Sequence, residues 1–509
     1  LDRQTNILEY LDHIVGVCPD KPCYANESEA LTFRQVYDDA RAIGTGLIQM
    51  GCCRQPVVVF MKRHPRTIVS FLGTVYAGCY YVPIDEEIPE YRIEMIFQTL
   101  QPEVVLCDES TSGLVSGFSY YQGKILLYDE ITRTKPNDLL LQGIRDRAID
   151  TDPIYIVFTS GSTGVPKGVV ACHRSVIDYI ESFSEVMRFD RNTIFGMQVP
   201  LYVDACLKEI YPTLKYGATA FIIPKELFMF PLKLVHFLNE HRINTVCWVV
   251  PALTMISGLG VFDQVIPEYL HTIAAGSEVF PMKQFMLWQK TLPNARFLNL
   301  YGPTEATGMS CWYEADRPFT IDDVLPIGKP FRNTEIMLLN EQNQLVAPGQ
   351  PGEICIRGTA LTMGYYKAFD KTQECFVQNP LNRLYPELVY RTGDIGRYND
   401  KGELLFMSRK DYQIKHMGHR IELGEIEMVV NKMEGILQSC ALFDDERKKI
   451  LLFFAGNCSK AEVIEYAKQK LPRYMIPNLV EQLEIMPLTN NGKINRLLLK
   501  QSYTERKRS

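Results

Sequence analysis

No stretch of this 509-residue chain approaches the roughly 18 uninterrupted apolar residues that a membrane span needs. The run Val57–Met61, for example, is broken at once by Lys62 and Arg63. An excess of basic charge is lacking too. The 54 Lys+Arg stand against 60 Asp+Glu, a net charge of −6, which gives no general electrostatic reason to gather on nucleic acid or anionic lipid. Neither a membrane nor a nucleic-acid partner is expected. The 14 cysteines include no C-x-x-C and no Cys/His grouping at zinc spacing, and apart from Cys52-Cys53 they are scattered singly. Reduced thiols in packing roles, in a cytoplasmic protein, fit that usage. Internal repeats and low-complexity tracts are also missing, and 46% hydrophobic against 22% charged residues exclude a disordered chain.

What is present is a layered alternation. Leu31–Leu47 reads as an amphipathic helix, Pro56–Phe60 as a buried strand and Arg66–Ala77 as a second helix. The rhythm returns in the strands Ile154–Phe158, Ala218–Ile223, Thr245–Val249 and Thr272–Ala274, with helical segments such as Lys233–His241 between them. This is the pattern of an α/β protein with parallel sheets. After about residue 325 the strands become Gly/Pro-punctuated, which predicts a mostly antiparallel, barrel-like portion. From Tyr412 onward, helices over Leu423–Lys432 and Lys460–Lys470 and strands over Ser439–Phe443 and Lys449–Ala455 predict a compact α+β unit. The expected organisation is a large multi-layer α/β domain over residues 1–408, a hinge over 409–411 and a small mobile C-terminal domain over 412–509.

The densest chemical signal is Thr159-Ser160-Gly161-Ser162-Thr163-Gly164-Val165-Pro166-Lys167-Gly168, placed directly after an apolar strand. Small residues let backbone N–H groups approach an anion, hydroxyls add donors, and Lys167 adds a compact positive charge, a combination suited to a triphosphate. Lys167 sits between Pro166 and Gly168, so the spacing does not meet the Walker pattern and a P-loop kinase is disfavoured.

Six further motifs follow: Tyr301-Gly302-Pro303-Thr304-Glu305, Gly352–Gly358, Tyr390–Asp394, Arg409–Lys415, Gly418–Glu427 and Asn491–Arg496. With the loop, and in this order, they resemble the adenylate-forming enzymes, and specifically the amino-acid adenylation domains of nonribosomal peptide synthetases. In length the chain is similar to the D-alanine–carrier protein ligases. The resemblance implies ATP-dependent formation of an aminoacyl-AMP with release of pyrophosphate, then transfer to the phosphopantetheine thiol of a carrier protein or domain, with Mg²⁺ assisting. Two other readings stay open: an acyl- or aryl-CoA ligase of the same superfamily, and a catalytically retired domain that only binds a carrier.

The same resemblance implies roles for single residues. Lys493 would bridge the substrate carboxylate and the α-phosphate, two anions that otherwise repel. Thr304 would contact the α-phosphate, Glu305 would serve as a hard oxygen ligand for Mg²⁺, and His173 would lie near the substrate. Tyr301 would stack on adenine, Gly276 would let adenine lie close to backbone, and Asp394 would accept the ribose hydroxyls. Arg409 would reach the ribose or form a hinge-side salt bridge, and Asp411 would be the hinge between the two half-reactions.

Asp204 falls where amino-acid activators hold the α-ammonium, a role that fits the need of a buried carboxylate for a cationic partner. Offsets from the motifs give the remaining pocket positions as Ala205, Lys208, Trp248, Ile273, Ala275, Leu300, Gly308 and Met309. In this otherwise apolar lining Lys208 has two readings: it pairs with an acidic substrate side chain, or its stem snorkels outward and leaves a small apolar site.

Overall fold

The computed structural model describes residues 4–160, 165–410, 413–487 and 494–508. They fall into two compact units. One comprises Leu1–Glu86, Leu100–Phe158 and Gly168–Lys410; the other comprises Glu87–Thr99, Thr159–Lys167 and Asp411–Ser509. The segments Glu87–Thr99 and Thr159–Lys167, expected within the large domain, therefore group with the C-terminal residues.

The larger unit is built on three sheets. In the six-stranded sheet the strand order is Lys124–Leu127, Val104–Cys107, Pro56–Phe60, Tyr80–Ile84, Pro153–Thr159 and Lys167–Cys172. Pro56–Phe60 is buried at all five positions and pairs in parallel with both neighbours, as befits a strand covered on both faces. The helix Pro65–Tyr76 starts on a proline that has no N–H to leave unpaired and is buried almost throughout. The helix Phe33–Gln49 opens on a reciprocal capping box between Thr32 and Gln35.

The nine-stranded sheet is parallel through its centre, over Arg296–Tyr301, Thr272–Gly276, Thr245–Val249, Ile194–Met197, Thr219–Ile222 and Pro22–Ala25. Both of its edges close with antiparallel strands, Ala30–Thr32 at one side and Cys311–Glu314 with Lys329–Pro330 at the other. The third sheet is antiparallel: Thr334–Leu339, Gly352–Gly358, Leu388–Tyr398 and Phe376–Gln378, with Leu404–Arg409 also paired to Leu388–Tyr398. Parallel layers followed by an antiparallel portion is the α/β class that the sequence pattern predicts.

In the smaller unit, Ile436–Asp444, Lys449–Gly456 and Leu479–Leu483 form a three-stranded mixed sheet. Ile426, Val430, Leu452, Phe454 and Val463 lie in its core, contributed by the sheet and by the helices Leu423–Asn431 and Lys460–Lys470. A hairpin pairs Gln413–His416 with His419–Glu422, and its two-residue loop has φ of 51° at Met417 and 80° at Gly418. That is the left-handed turn whose twist matches the flanking strands. In the same unit Arg92, on the helix Glu90–Leu100, forms a buried ion pair with Glu425.

Candidate active site

A short 3-10 turn, Asp204–Cys206, leads into the helix Leu207–Tyr216, which ends where Gly217 adopts φ 67°. Asp204 and Lys208 are one helical turn apart and so share a face. The Asp204 carboxyl is raised above the ordinary range, first by burial, while Lys208 and a hydrogen bond from the Thr304 side chain pull it down and Glu305 pushes it up again. Among the described residues no cation forms an ion pair with it. Lys208 is 3% exposed, so its stem does not snorkel to solvent and its charge stays inside. Thr304, expected at the α-phosphate, is thus brought to Asp204.

The strand Arg296–Tyr301 ends on Tyr301, whose hydroxyl donates to Asp394 Oδ2 at 2.5 Å. Arg409, in register with Asp394 on the neighbouring strand, holds Oδ1 and donates to the Thr392 carbonyl at 3.1 Å. The Asp394 N–H is bonded to the Thr392 hydroxyl at 2.9 Å, and that hydroxyl donates to the Ile354 carbonyl at 2.7 Å. The Tyr301–Asp394–Arg409 cluster is therefore fixed on three strands. Burial and the adjacent Asp394 charge both raise the Tyr301 hydroxyl, which stays protonated and able to donate.

The backbone next to Tyr301 is crowded. A Cβ at Gly302 would stand 2.3 Å from the Gly308 carbonyl and 2.5 Å from the Met309 Cα, so only glycine lets the two segments meet. A Cβ at Gly276 would come within 3.2 Å of the Leu300 carbonyl and 3.3 Å of the Met309 Cε.

Glu305 lies on the 3-10 turn Thr304–Ala306 and is fully buried. Its Oε1 accepts from the Tyr365 hydroxyl at 2.6 Å, and its carbonyl accepts from the Thr362 N–H at 2.9 Å. Among the described residues no group of three His, Cys, Asp or Glu side chains is placed to hold a metal. A lone hard oxygen fits Mg²⁺ when substrate phosphates and water supply the other ligands, which is how that ion is commonly held.

Of the glycine- and hydroxyl-rich loop, Gly161, Ser162, Thr163 and Gly164 lie outside the described residues, as do Asp411 and Lys493. Among the described residues the buried Thr159 hydroxyl has no hydrogen-bond partner, which makes it a donor available to an anion. Ser160 donates to the Arg420 carbonyl at 2.7 Å, and Lys167 stands 3.8 Å from the Glu422 carboxylate.

The expected pocket positions divide between two faces of the nine-stranded sheet. Leu300 and Met309 share a core with Tyr179, Cys206, Leu207 and Cys247, and Ala205 packs at its margin. Gly308, with φ 94°, would place a Cβ 3.1 Å from the Tyr179 ring. Trp248, Ile273 and Ala275 belong to the opposite core, where the Trp248 indole donates to the Gly196 carbonyl at 2.6 Å and meets Phe228 edge-on. Their side chains alternate with those of Cys247, Ala274 and Gly276, so one step along the strand changes the face.

His173 has a different setting from the substrate-side one expected. Its Nδ1 accepts from the Ile7 N–H at 3.1 Å, and Asn6, Tyr76, Arg145 and Asp152 line the small cavity beside it. Burial lowers its pKa to about 3, which keeps the ring neutral. The structure does not bring it to the Asp204 or Asp394 clusters.

Sequence reasoning missed Glu209, Tyr179, Cys247 and Tyr365. Only Tyr365 carried a local hint, in the turn-forming Met363-Gly364-Tyr365. Glu209 carried none, because a Glu beside a Lys in a helical run reads as solvent-facing.

Comparison with known proteins places the chain in a family. The family model described as AMP-binding enzyme matches residues 11–366. The chain is 31% identical over 487 residues to tyrocidine synthase 1 of Brevibacillus parabrevis, covering 94% of this chain and 43% of that protein. It therefore spans less than half the length of that relative. Among solved structures, IdnL1 is 25% identical with a TM-score of 0.79, over 95% of this chain and 99% of that one. NpsA-ThdA, an artificially fused adenylation-PCP di-domain from Klebsiella oxytoca, shares the fold at 18% identity and a TM-score of 0.80, over 94% of each chain. Among the described residues no helix is long and apolar enough to cross a membrane.

Proposed function

The chain belongs to the AMP-binding enzyme family, and we propose that its reaction is the ATP-dependent activation of an amino acid. A carboxylate oxygen of the substrate bonds to the α-phosphorus of ATP, the α–β bridging bond breaks, and pyrophosphate leaves with the electron pair. The aminoacyl-AMP is then attacked by the phosphopantetheine thiol of a carrier, forming a thioester and releasing AMP. The adenylation and PCP domains joined in the NpsA-ThdA structure support a carrier as the second partner.

The observation that carries this reading is Asp204. A half-buried carboxylate that has no ion-paired cation among the described residues is costly to keep, and a zwitterionic substrate brings the ammonium that offsets it. Lys208, buried beside it, would read an acidic side chain on that substrate. Asp394, with Tyr301 and Arg409, would orient the ribose, and the Thr159 hydroxyl with Lys167 would meet the phosphates. Glu305 would hold Mg²⁺, which when bound supplies positive charge to the phosphate oxygens. Lys493 would place its ammonium between carboxylate and α-phosphate, and Asp411 would be the hinge.

Amino-acid-dependent ATP–pyrophosphate exchange over a panel of D- and L-amino acids tests the reading. Exchange driven by acidic amino acids and lost in Asp204→Asn is the expected result. Exchange driven by fatty or aryl acids instead, or nucleotide binding with no exchange for any acid, would overturn it.

A further inference from the structure

Tyr179 carries a hydroxyl that the architecture does not use. The residue is 1% exposed on the helix His173–Met187, and its Oη has no hydrogen-bond partner among the described residues. The Met309 N–H lies toward that oxygen without completing a bond, and as a donor it would engage a lone pair and still leave the phenolic proton without an acceptor. Buried polar groups in folded proteins are nearly always satisfied, and an orphaned one costs stability. Phenylalanine would fill the same space without that cost, so the hydroxyl points to a ligand.

The position of the ring narrows the ligand. Phe183, one helical turn on, stacks against it with centroids 5.4 Å apart and holds it from one side. On another side is Gly308, where a Cβ would stand 3.1 Å from Cζ, 3.2 Å from Cε1 and 3.3 Å from Oη of Tyr179, all closer than ordinary van der Waals contact. The space that a side chain at 308 would fill is therefore taken by the Tyr179 phenol, which reaches it from a different element. Gly308 in turn is tied to Asp204. The Thr304 side chain is hydrogen-bonded to the Asp204 carboxyl, and Thr304–Ala306 is a single 3-10 turn closed by the Thr307 N–H on the Thr304 carbonyl at 3.0 Å. Gly308 follows next, at φ 94°. One tight turn thus separates the residue that bonds Asp204 from the residue that the phenol covers.

We propose that the Tyr179 hydroxyl donates a hydrogen bond to an oxygen on the substrate side chain, and that Tyr179 is a specificity-determining residue selecting amino acids that bear such an oxygen over their hydrocarbon isosteres. The proposal deepens the amino-acid reading above and rests on Asp204 holding the ammonium. Burial keeps the phenol protonated and therefore a donor. A hydrocarbon side chain in the same place leaves that donor unpaired, which is how a polar site rejects an analogue lacking its partner group. An acidic side chain, the kind that Lys208 would read, offers two acceptor oxygens.

The test is ATP–pyrophosphate exchange on the wild type and Tyr179→Phe, with aspartate, glutamate, asparagine, glutamine, serine and threonine set against valine and leucine. The wild type should favour an oxygen-bearing side chain. Tyr179→Phe deletes one atom and keeps the ring, so it should melt at or above the wild-type temperature. Its kcat/KM for the favoured substrate should fall by about 3- to 10-fold for a neutral acceptor and by roughly 10- to 100-fold for a carboxylate, the worth of one hydrogen bond in each case. For valine and leucine kcat/KM should hold or rise, and KM for ATP should not change. Equal discrimination in the wild type and Tyr179→Phe would overturn the proposal, and is the result that a buried water on the hydroxyl would give. A wild type that favours valine or leucine would overturn it as well. Either result leaves amino-acid activation standing, whereas a lack of exchange with any amino acid removes both.

Discussion

The Tyr301 hydroxyl and Asp394 Oδ2 meet at 2.5 Å across 93 positions of sequence, joining the end of a parallel strand to a strand of the antiparallel sheet. With Arg409 on the other oxygen, both carboxylate oxygens are engaged before any nucleotide arrives. Ribose hydroxyls must share or displace these partners, so the affinity for nucleotide measures a difference between two sets of bonds.

Asp394→Ala removes the acceptor from both partners at once. AMP binding measured by calorimetry should weaken by roughly 10- to 150-fold, the range for one or two hydrogen bonds to a charged group. Unchanged affinity would exclude Asp394 from the ribose site.

Asp204 must be ionised to hold an ammonium, and burial raises its pKa. Substrate affinity should therefore fall as pH drops through that raised value, at a pH above the ordinary carboxylate range. KM for the amino acid between pH 4.5 and 8 reads this limb. Asp204→Asn should remove the limb and raise KM at every pH.

Tyr365 holds the buried carboxylate of Glu305 through one hydrogen bond of 2.6 Å. Tyr365→Phe keeps the ring and removes that bond to the carboxylate. The Mg²⁺ concentration for half-maximal ATP binding should rise about 3- to 10-fold, the worth of one ordinary hydrogen bond, with AMP binding in the absence of metal unchanged.

The Arg92–Glu425 pair is buried on both sides. Removing one partner strands a charge, so Arg92→Ala should destabilise the smaller unit by roughly 3–5 kcal/mol. Arg92→Met combined with Glu425→Met should recover most of that loss. Urea unfolding followed by tryptophan-independent circular dichroism measures both.

Glu209 predicts a stability profile as well. Its folded pKa of about 8 lies above the usual 4.5, so between these values the unfolded chain has released a proton that the folded chain keeps. Stability should fall as pH rises from 4.5 to 8 and level off above. Glu209→Gln should flatten that decline in thermal melts.

Much of the scaffold was legible in the residues, for identifiable reasons. Pro56–Phe60 and Thr245–Val249 are unbroken apolar runs too short for helices, and both are strands with those bounds. Helix ends moved by one or two residues where caps decided them, as at Thr32 and Pro65. The site residues with the clearest signal in the sequence are Asp204, Tyr301 and Asp394, where chemistry and motif coincide. The pocket lining was harder to read because an offset carried along a strand fixes position but not face, which is why Trp248, Ile273 and Ala275 pack in the opposite core. Glu209 was hidden because the whole stretch Leu207–Leu214 is buried, a property of the surrounding sheets that no local pattern announces. His173 was placed by motif alone, and the N-terminal segment that packs over it, through Ile7, is remote in sequence.

The contact at Gly302 bears on how this protein tolerates change. Any other codon there drives a carbon into the Gly308 carbonyl at 2.3 Å, and backbone on both sides leaves no rotamer by which to escape. A saturation library screened for growth or turnover should therefore return a single amino acid at 302, while Gly402, whose Cβ would meet nothing within 4 Å, lies open to drift wherever its left-handed backbone is tolerated.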